Sequence, residues 1–264
     1  MYHNKTVAVV IPALNEEQSV GIVVSNLKSL RNDTGTSTLI DDIVVCDNGS
    51  TDSTAVAAKS SGARVVSELE PGYGAACLKG ISALEAPDIV VFVDADNSVI
   101  VDEVESLIHQ VLLGADLVVG SRSIGNLEPG ALTAQQRFGN WLASLLIRKI
   151  WHHPITDLGP FRAICFDSLN QVQMQDRTFG WTVEMQVKAI QRQMKVVEVP
   201  VSTKKRIGRS KISGTISGTI GAAFGIFGMI FQLYMKEKQN RNVSELEAKP
   251  IKKTGLAFKV KNLF

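Results

Sequence analysis

Two aspartates one residue apart, Asp94 and Asp96, close the apolar run "IVVFV". Charge at the end of a buried strand is costly unless something pairs with it. Alternation along an extended chain puts both carboxylates on one side, where they reach a single divalent ion. Mg2+ and similar hard cations are typically held by one or two carboxylates together with substrate phosphates. The competing reading is a solvated strand end followed by a helix start. Asp47 ends another apolar run, where a carboxylate facing a crevice can accept hydrogen bonds from a nucleobase imide or a ribose hydroxyl. Asn48-Gly49 then makes a turn, and Asp52 or Ser53 caps the next helix. "PGYGAACLKG" (Pro71 to Gly80) opens a helix with glycines and free terminal amides suited to phosphate. No Walker pattern and no GxGxxG fingerprint is present, which excludes P-loop hydrolases and nicotinamide enzymes.

These residues need a scaffold, and the hydrophobic pattern supplies one. Short β-branched runs at Val7 to Pro12, Asp42 to Asp47, Ala63 to Ser67, Asp88 to Asp94 and Ala115 to Gly120 alternate with helical patterns such as Glu17 to Leu30 and Asp102 to Leu113. Continuous apolar strands imply burial on both faces. The alternation predicts a doubly wound α/β domain with ligands at the carboxyl ends of the strands. Farther on, Ala134 to Trp151 and Thr182 to Arg192 read as helices, Phe161 to Phe166 and Lys195 to Ser202 as strands, with Pro200 at an edge or strand end.

Composition narrows the class. The 264 residues are 45% hydrophobic and 20% charged with a net charge of +2, which excludes disorder for most of the chain. That total conceals −8 over residues 1–150 and +10 over the rest, so the C-terminal part favours an anionic ligand or surface. Cys46, Cys77 and Cys165 have no metal-like spacing and read as small apolar residues. His152-His153 lacks a third ligand and is a weak metal signal. The first residues read as a strand rather than a signal peptide. Ile212 to Met235 carries no charge and is long enough for a bilayer, which takes about 20 residues. Bulky residues recur along it at helical spacing, and Gly214, Gly218, Gly221, Gly225 and Gly228 give a small face that permits helix pairing and hence a homo-oligomer. The polar stretch from Gln239 reads as a tail, and "GLAFKVKNLF" could rest on a membrane surface.

The motifs "IPALNE", "DNGSTDST", "GYGAA", "DAD" and "GSR" (Gly120 to Arg122), in this order, make the chain resemble glycosyltransferase family 2, GT-A fold enzymes that use nucleotide sugars. "RFGNWLASLL", "DLGPFRA" and "RIGRSKISGT" (Arg206 to Thr215) resemble the polyprenyl- or dolichyl-phosphate mannose or glucose synthases. The resemblance implies a GT-A domain over residues 1–211, with a mostly parallel sheet flanked by helices, then a membrane-spanning or interfacial helix over 212–235 and a basic polar tail over 236–264. It implies that Pro12, Ala13, Asn15, Glu16, Asp47, Gly74, Asp94, Ala95, Asp96 and Arg122 bind the nucleotide sugar. Mg2+ or Mn2+ would sit on Asp94 and Asp96, with water or Glu184 completing its shell. Two positions depart from the pattern: Asn48 stands where relatives commonly carry a second Asp, and Ser98 where some supply a metal-binding Gln.

The expected reaction is inverting transfer of a hexose from UDP- or GDP-sugar, with catalytic roles for Asp96, Asp157 and Arg122. A lipid phosphate acceptor arrives already ionised and needs cations, for which Arg137, Arg162, Arg206, Arg209 and Lys211 are candidates. A hydroxyl acceptor needs a general base, and Asp157 is the candidate. The first expectation is therefore a membrane-associated enzyme with a cytoplasmic catalytic domain and a polyprenyl phosphate acceptor. The alternative is a family 2 transferase acting on a soluble or saccharide hydroxyl, and the reading from another class is a catalytically silent nucleotide-sugar binder. No nucleic-acid partner is expected.

Overall fold

In the computed structural model, residues 2–31, 35, 37–208 and 216–247 are described. Seven strands form one mixed sheet: β1 (Val7–Ala13), β2 (Asp42–Asp47), β3 (Arg64–Ser67), β4 (Ile89–Phe92), β5 (Leu117–Ser121), β6 (Arg162–Cys165) and β7 (Val196–Pro200). Their spatial order is β3-β2-β1-β4-β6-β5-β7. β1 to β4 pair in parallel, β6 runs antiparallel between β4 and β5, and β7 pairs parallel with β5 at the edge. Pro200, which has no N–H to give, ends that edge strand.

The helices are α1 (Val20–Ser29), α2 (Thr54–Ser60), α3 (Tyr73–Ser82), α4 (Val104–Leu112), α5 (Ala134–Trp151), α6 (Phe166–Val172), α7 (Trp181–Gln191) and α8 (Ile216–Glu247). Period-two alternation sends Val7, Val9 and Ile11 of β1 into a core with α1 and α4, while Val10 enters a second core with Cys77, Leu169, Trp181 and Met185. A third cluster joins Ala143 and Ile147 of α5, Val183 and Val187 of α7, and Met229, Ile230 and Leu233 of α8.

The chain winds outward through β1, β2 and β3, then returns to place β4 on the other side of β1. The crevice at the carboxyl ends of β1 and β4 is thus the topological switch point, where open α/β sheets bind ligands.

The membrane helix is a correction. Among the described residues no helix is long and apolar enough to cross a membrane. α8 instead runs 32 residues and carries Lys236, Glu237 and Lys238. Its small residues let it approach α7 closely: a Cβ on Gly225 would lie 3.0 Å from Phe179 Cβ, and one on Gly180 3.0 Å from Met229 Cβ. Trp151 Nε1 and Gln191 Nε2 both donate to Glu237 Oε2, at 2.6 and 2.9 Å, tying α5, α7 and α8 together. The glycine face read as a lipid or helix-pairing surface therefore packs in part on the protein itself. The expected membrane-spanning helix is not found among the described residues.

Candidate active site at the carboxyl ends of β1, β2 and β4

β1 and β2 end side by side, with Ala13 opposite Asp47. The loops beyond them brace each other. Asn15, at φ +53°, receives Thr51 N on its Oδ1 at 2.7 Å and donates its own amide to Ser50 Oγ at 2.8 Å. Glu16 N donates to Thr54 Oγ1 at 2.8 Å, and Asn48 N to Ala13 O at 2.8 Å. Pro12 and Ala13 are buried beneath, and the Asp47 carboxylate accepts a 3.2 Å bond from Ser50 N. Asp52 bonds Thr54 and the amide of Glu17, so it ties the two loops together as well as opening α2.

Asn48, the departure from the family pattern, has a clear local task. Its Nδ2 donates to Glu68 O and Glu70 O at 3.0 and 2.7 Å, and its Oδ1 accepts from Gly72 N at 2.8 Å. One amide side chain thus fixes the turn between β3 and α3, using donors a carboxylate lacks.

The phosphate reading of the α3 N-terminus is corrected by the same region. Gly74 N and Ala75 N donate to Thr178 O and Arg177 O at 3.1 and 2.9 Å, so these amides are already engaged. Gly72 and Gly74 are glycine because the 176–178 backbone lies on them: added Cβ atoms would fall 2.0 Å from Arg177 O and 2.2 Å from Asp176 O.

β4 stops at Phe92, so Asp94 and Asp96 lie in the turn beyond it rather than on an extended strand. Asp96 Oδ1 accepts from Ser98 N at 2.9 Å, and Ala95 is buried between the acids. Tyr73 Oη donates to Asp94 Oδ1 at 3.2 Å. Burial, and then the neighbouring Asp96, push the Asp94 carboxyl up to about 7, while Tyr73 and two arginines partly offset this. An acid pair strained in this way suits a hard divalent cation held through oxygen. Among the described residues no third His, Cys, Asp or Glu joins them. Glu184 is not brought there: its oxygens accept from Gln175 N and Asp176 N, and Lys188 Nζ lies 2.7 Å from Oε1.

The arginines separate into distinct roles. Arg206 reaches the crevice, pairing with Glu16 and, through Nη1, with Asp96 Oδ2 at 3.2 Å. Arg122 forks onto Asp157, Nε to Oδ2 at 2.9 Å and Nη2 to Oδ1 at 2.6 Å, while its amide adds a 2.6 Å bond to Oδ2. Both Asp157 oxygens are therefore occupied. Arg162 is 0% exposed and donates to Gly159 O and Thr182 O, so it cannot meet an acceptor as it stands. Burial lowers its pKa to about 10. Arg137 is exposed in the first turns of α5, and Arg209 and Lys211 lie outside the described residues.

Two positioning residues escape the sequence reading. Glu198 on β7 accepts from the amides of Thr156 and Asp157 at 2.8 and 3.1 Å, fixing the loop that carries Asp157. Tyr73 stands inside "GYGAA", the signal that could have found it, whereas Glu198 sits in an ordinary alternating strand with no local signal. His153 has an unpartnered Nδ1, and burial lowers its pKa.

A mixed sheet with an acidic turn at its switch point defines a GT-A-like α/β fold, and the family follows from comparison. The model for glycosyl transferase family 2 matches residues 8–172, and the chain belongs to that family: it is a glycosyltransferase. An uncharacterized glycosyltransferase of Mycobacterium tuberculosis is 35% identical over 226 residues, 85% of this chain and 97% of its own. A glucosyl-3-phosphoglycerate synthase of Mycolicibacterium smegmatis is 41% identical over 100 residues, 35% of this chain and 31% of its own. The fold matches the glucosyl-3-phosphoglycerate synthase of Mycobacterium tuberculosis in complex with Mn2+, UDP-glucose and phosphoglyceric acid, with TM-score 0.69 and 23% identity over 88% of this chain and 80% of that one.

The finer resemblance is thereby corrected. A dolichyl-phosphate hexose transferase of Haloferax volcanii is 27% identical over 80% of this chain and 88% of its own, whereas the 41% identity to the phosphoglycerate enzyme covers 35% of this chain. The polyprenyl phosphate acceptor and lipid partner are corrected by the glucosyl-3-phosphoglycerate synthases that the chain resembles in sequence and fold, and the spanning helix by the described residues, among which no helix is long and apolar enough to cross a membrane.

Proposed function

We propose that this chain transfers glucose from UDP-glucose to a hydroxyl of a small soluble phosphorylated acid of the 3-phosphoglycerate type, with Mg2+ or Mn2+ as cofactor. The observation that carries the donor reading is the Asp94–Asp96 turn at the switch point, where burial and the neighbouring Asp96 hold the Asp94 carboxyl up to about 7. Asp94 and Asp96 would hold the metal, which when bound neutralises charge on the leaving diphosphate. Asp47, opposite Ala13 at the end of β1, would accept from the base or ribose. Arg122, fixed by its fork onto Asp157, offers its remaining N–H groups in one orientation, and a donor held still contributes more to a charged transition state than a mobile one.

In this reading Asp157 positions Arg122. It can take the acceptor's proton only if Arg122 releases it. The acceptor reading is supported by the stretch shared with glucosyl-3-phosphoglycerate synthase and by the +10 charge beyond residue 150, which suits a multiply anionic acceptor.

The test is transfer from radiolabelled UDP-glucose with Mn2+, offering 3-phosphoglycerate, glycerate and undecaprenyl phosphate in parallel. Label is expected on 3-phosphoglycerate, and Asp96→Ala removes Mn2+-dependent UDP binding. Label appearing only in the lipid, or donor use confined to GDP-sugars, refutes the proposal.

A further inference from the structure

Asn97 Oδ1, Thr203 Oγ1 and Arg206 Nε are buried polar atoms with no hydrogen-bond partner, and they sit on two segments that face each other. These segments are joined by the Val99–Thr203 bridge, by Lys204 N donating to Ser98 O at 2.9 Å and by Ile207 N donating to Asp96 O at 2.9 Å. Native proteins leave few such atoms, and a group of them calls for a reason. Between the segments, Arg206 divides its guanidinium: one Nη on Glu16, the other 3.2 Å from Asp96 Oδ2. Asp96 is thus already neutralised by a cation belonging to the chain. The contact draws residues 203–207 across the crevice, beside a cavity of about 430 Å³ lined by Asn15, Glu16, Ile207 and Gly208.

Building on the donor-site reading above, we propose that Arg206 is an exchangeable latch. It occupies Asp96 while the divalent cation is absent and yields that carboxylate when the cation arrives. A guanidinium and a divalent ion competing for Asp96 Oδ2 repel each other at a few ångströms, which favours release of the more weakly held arginine. Arg206, with its Nε still unpartnered, then turns its planar fork to the donor's phosphates, the geometry that bidentate pairing favours. One charge serves two successive partners, and metal binding is coupled to nucleotide binding through a two-position side chain.

The experiment measures Mn2+ affinity of the full chain from the free-ion resonance signal, with and without UDP, for wild type, Arg206→Gln, Arg206→Lys and Asp96→Asn. Thermal unfolding checks that each variant is folded. Removing the competitor in Arg206→Gln should tighten Mn2+ alone about tenfold, equivalent to ~1.4 kcal/mol, and weaken UDP in the presence of Mn2+ by about the same factor. Arg206→Lys keeps the competing charge and loses the fork, so Mn2+ affinity stays near wild type while UDP weakens. Mn2+ affinity unchanged or lowered in Arg206→Gln, with binding still dependent on Asp96, overturns the latch and leaves the donor site standing. Wild type that takes up no Mn2+ with or without UDP overturns both.

Discussion

Replacing Asp157 by Asn tests whether the Arg122 fork is an organising element of the site or a dispensable contact. The Asp157 side chain is 1% exposed and that of Arg122 21%, so solvent screens the pair little. Its carboxylate accepts three hydrogen bonds from Arg122 alone, at 2.6, 2.6 and 2.9 Å. Asn keeps one acceptor oxygen but turns an NH2 group toward the guanidinium and leaves its charge without a counter-ion. Breaking one side of a largely buried pair costs about 3–5 kcal/mol. In a chain of this size that corresponds to a melting point lower by roughly 10 °C. Scanning calorimetry of Asp157→Asn gives the stability loss, and steady-state transfer gives kcat and KM. The expected kinetic signature is a fall in kcat with the shape of the pH–rate profile unchanged, because Arg122 loses its orientation and no titrating base is removed. The paired replacement Arg122→Met with Asp157→Leu should recover much of the lost stability without activity, since no charge is then stranded. A loss below about 1 kcal/mol for Asp157→Asn, the range of exposed pairs, would refute the argument. Disappearance of the acidic limb of the pH profile would instead make Asp157 the base.

The remaining predictions concern the acid turn, the Asn48 brace and α8. Because the Asp94 carboxyl titrates near 7 in the fold against about 3.9 in an unfolded chain, the folded state holds its proton more tightly, and stability is lost as pH rises between those values. The metal-free protein should therefore be more stable at pH 5 than at pH 8 by on the order of 2 kcal/mol, after discounting for the partial exposure of Asp94, with Mn2+ removing the difference; a flat or rising trend in chemical denaturation refutes it. Asn48→Asp, which restores the family's second carboxylate, should destabilise by about 2–3 kcal/mol in the same assay, because its new oxygen faces Glu68 O and Glu70 O. Trp151→Phe removes the donor to Glu237 and should cost about 1–2 kcal/mol while leaving transfer rates unchanged, as calorimetry beside the transfer assay will show.

How far the sequence reveals the molecule depends on whether each element is dictated locally. Strands of continuous β-branched residues such as Val7–Ala13 announce themselves because both faces are buried and no other element tolerates that pattern. α5 occupies the full span read from its periodicity, closed at its start by a capping box between Thr133 and Gln136. The direction of β6 is not local information. Nothing in "RAIC" distinguishes a parallel from an antiparallel neighbour, and its orientation follows from how the chain returns between β4 and β5. α8 misleads for a related reason. An uncharged, glycine-rich helix is compatible with lipid or with a protein surface that comes close enough, and only the position of Phe179 and Gly180 against Gly225 and Met229 distinguishes the two.

At the crevice, the place of the acids along the chain was legible and their partners were not. Asp47, Asp94 and Asp96 stand where strand ends put them, because a strand followed by a carboxylate has few geometric options. Arg162 shows the limit of reading charge from sequence: "DLGPFRA" offers an arginine as an anion receptor, yet its place between β4 and β5 buries it completely against backbone carbonyls. Arg206, 44 residues farther on, reaches the acids that Arg162 was better placed in sequence to meet. The sheet decides which arginine is buried against backbone carbonyls and which lies over the crevice. A strand position takes its charge inward, whereas a loop crossing the carboxyl ends of the strands leaves its charge over the crevice. Exchanging the two requirements gives different failures: Arg162→Gln should act through stability, and Arg206→Gln through metal and nucleotide affinity. Only the second is a change in recognition.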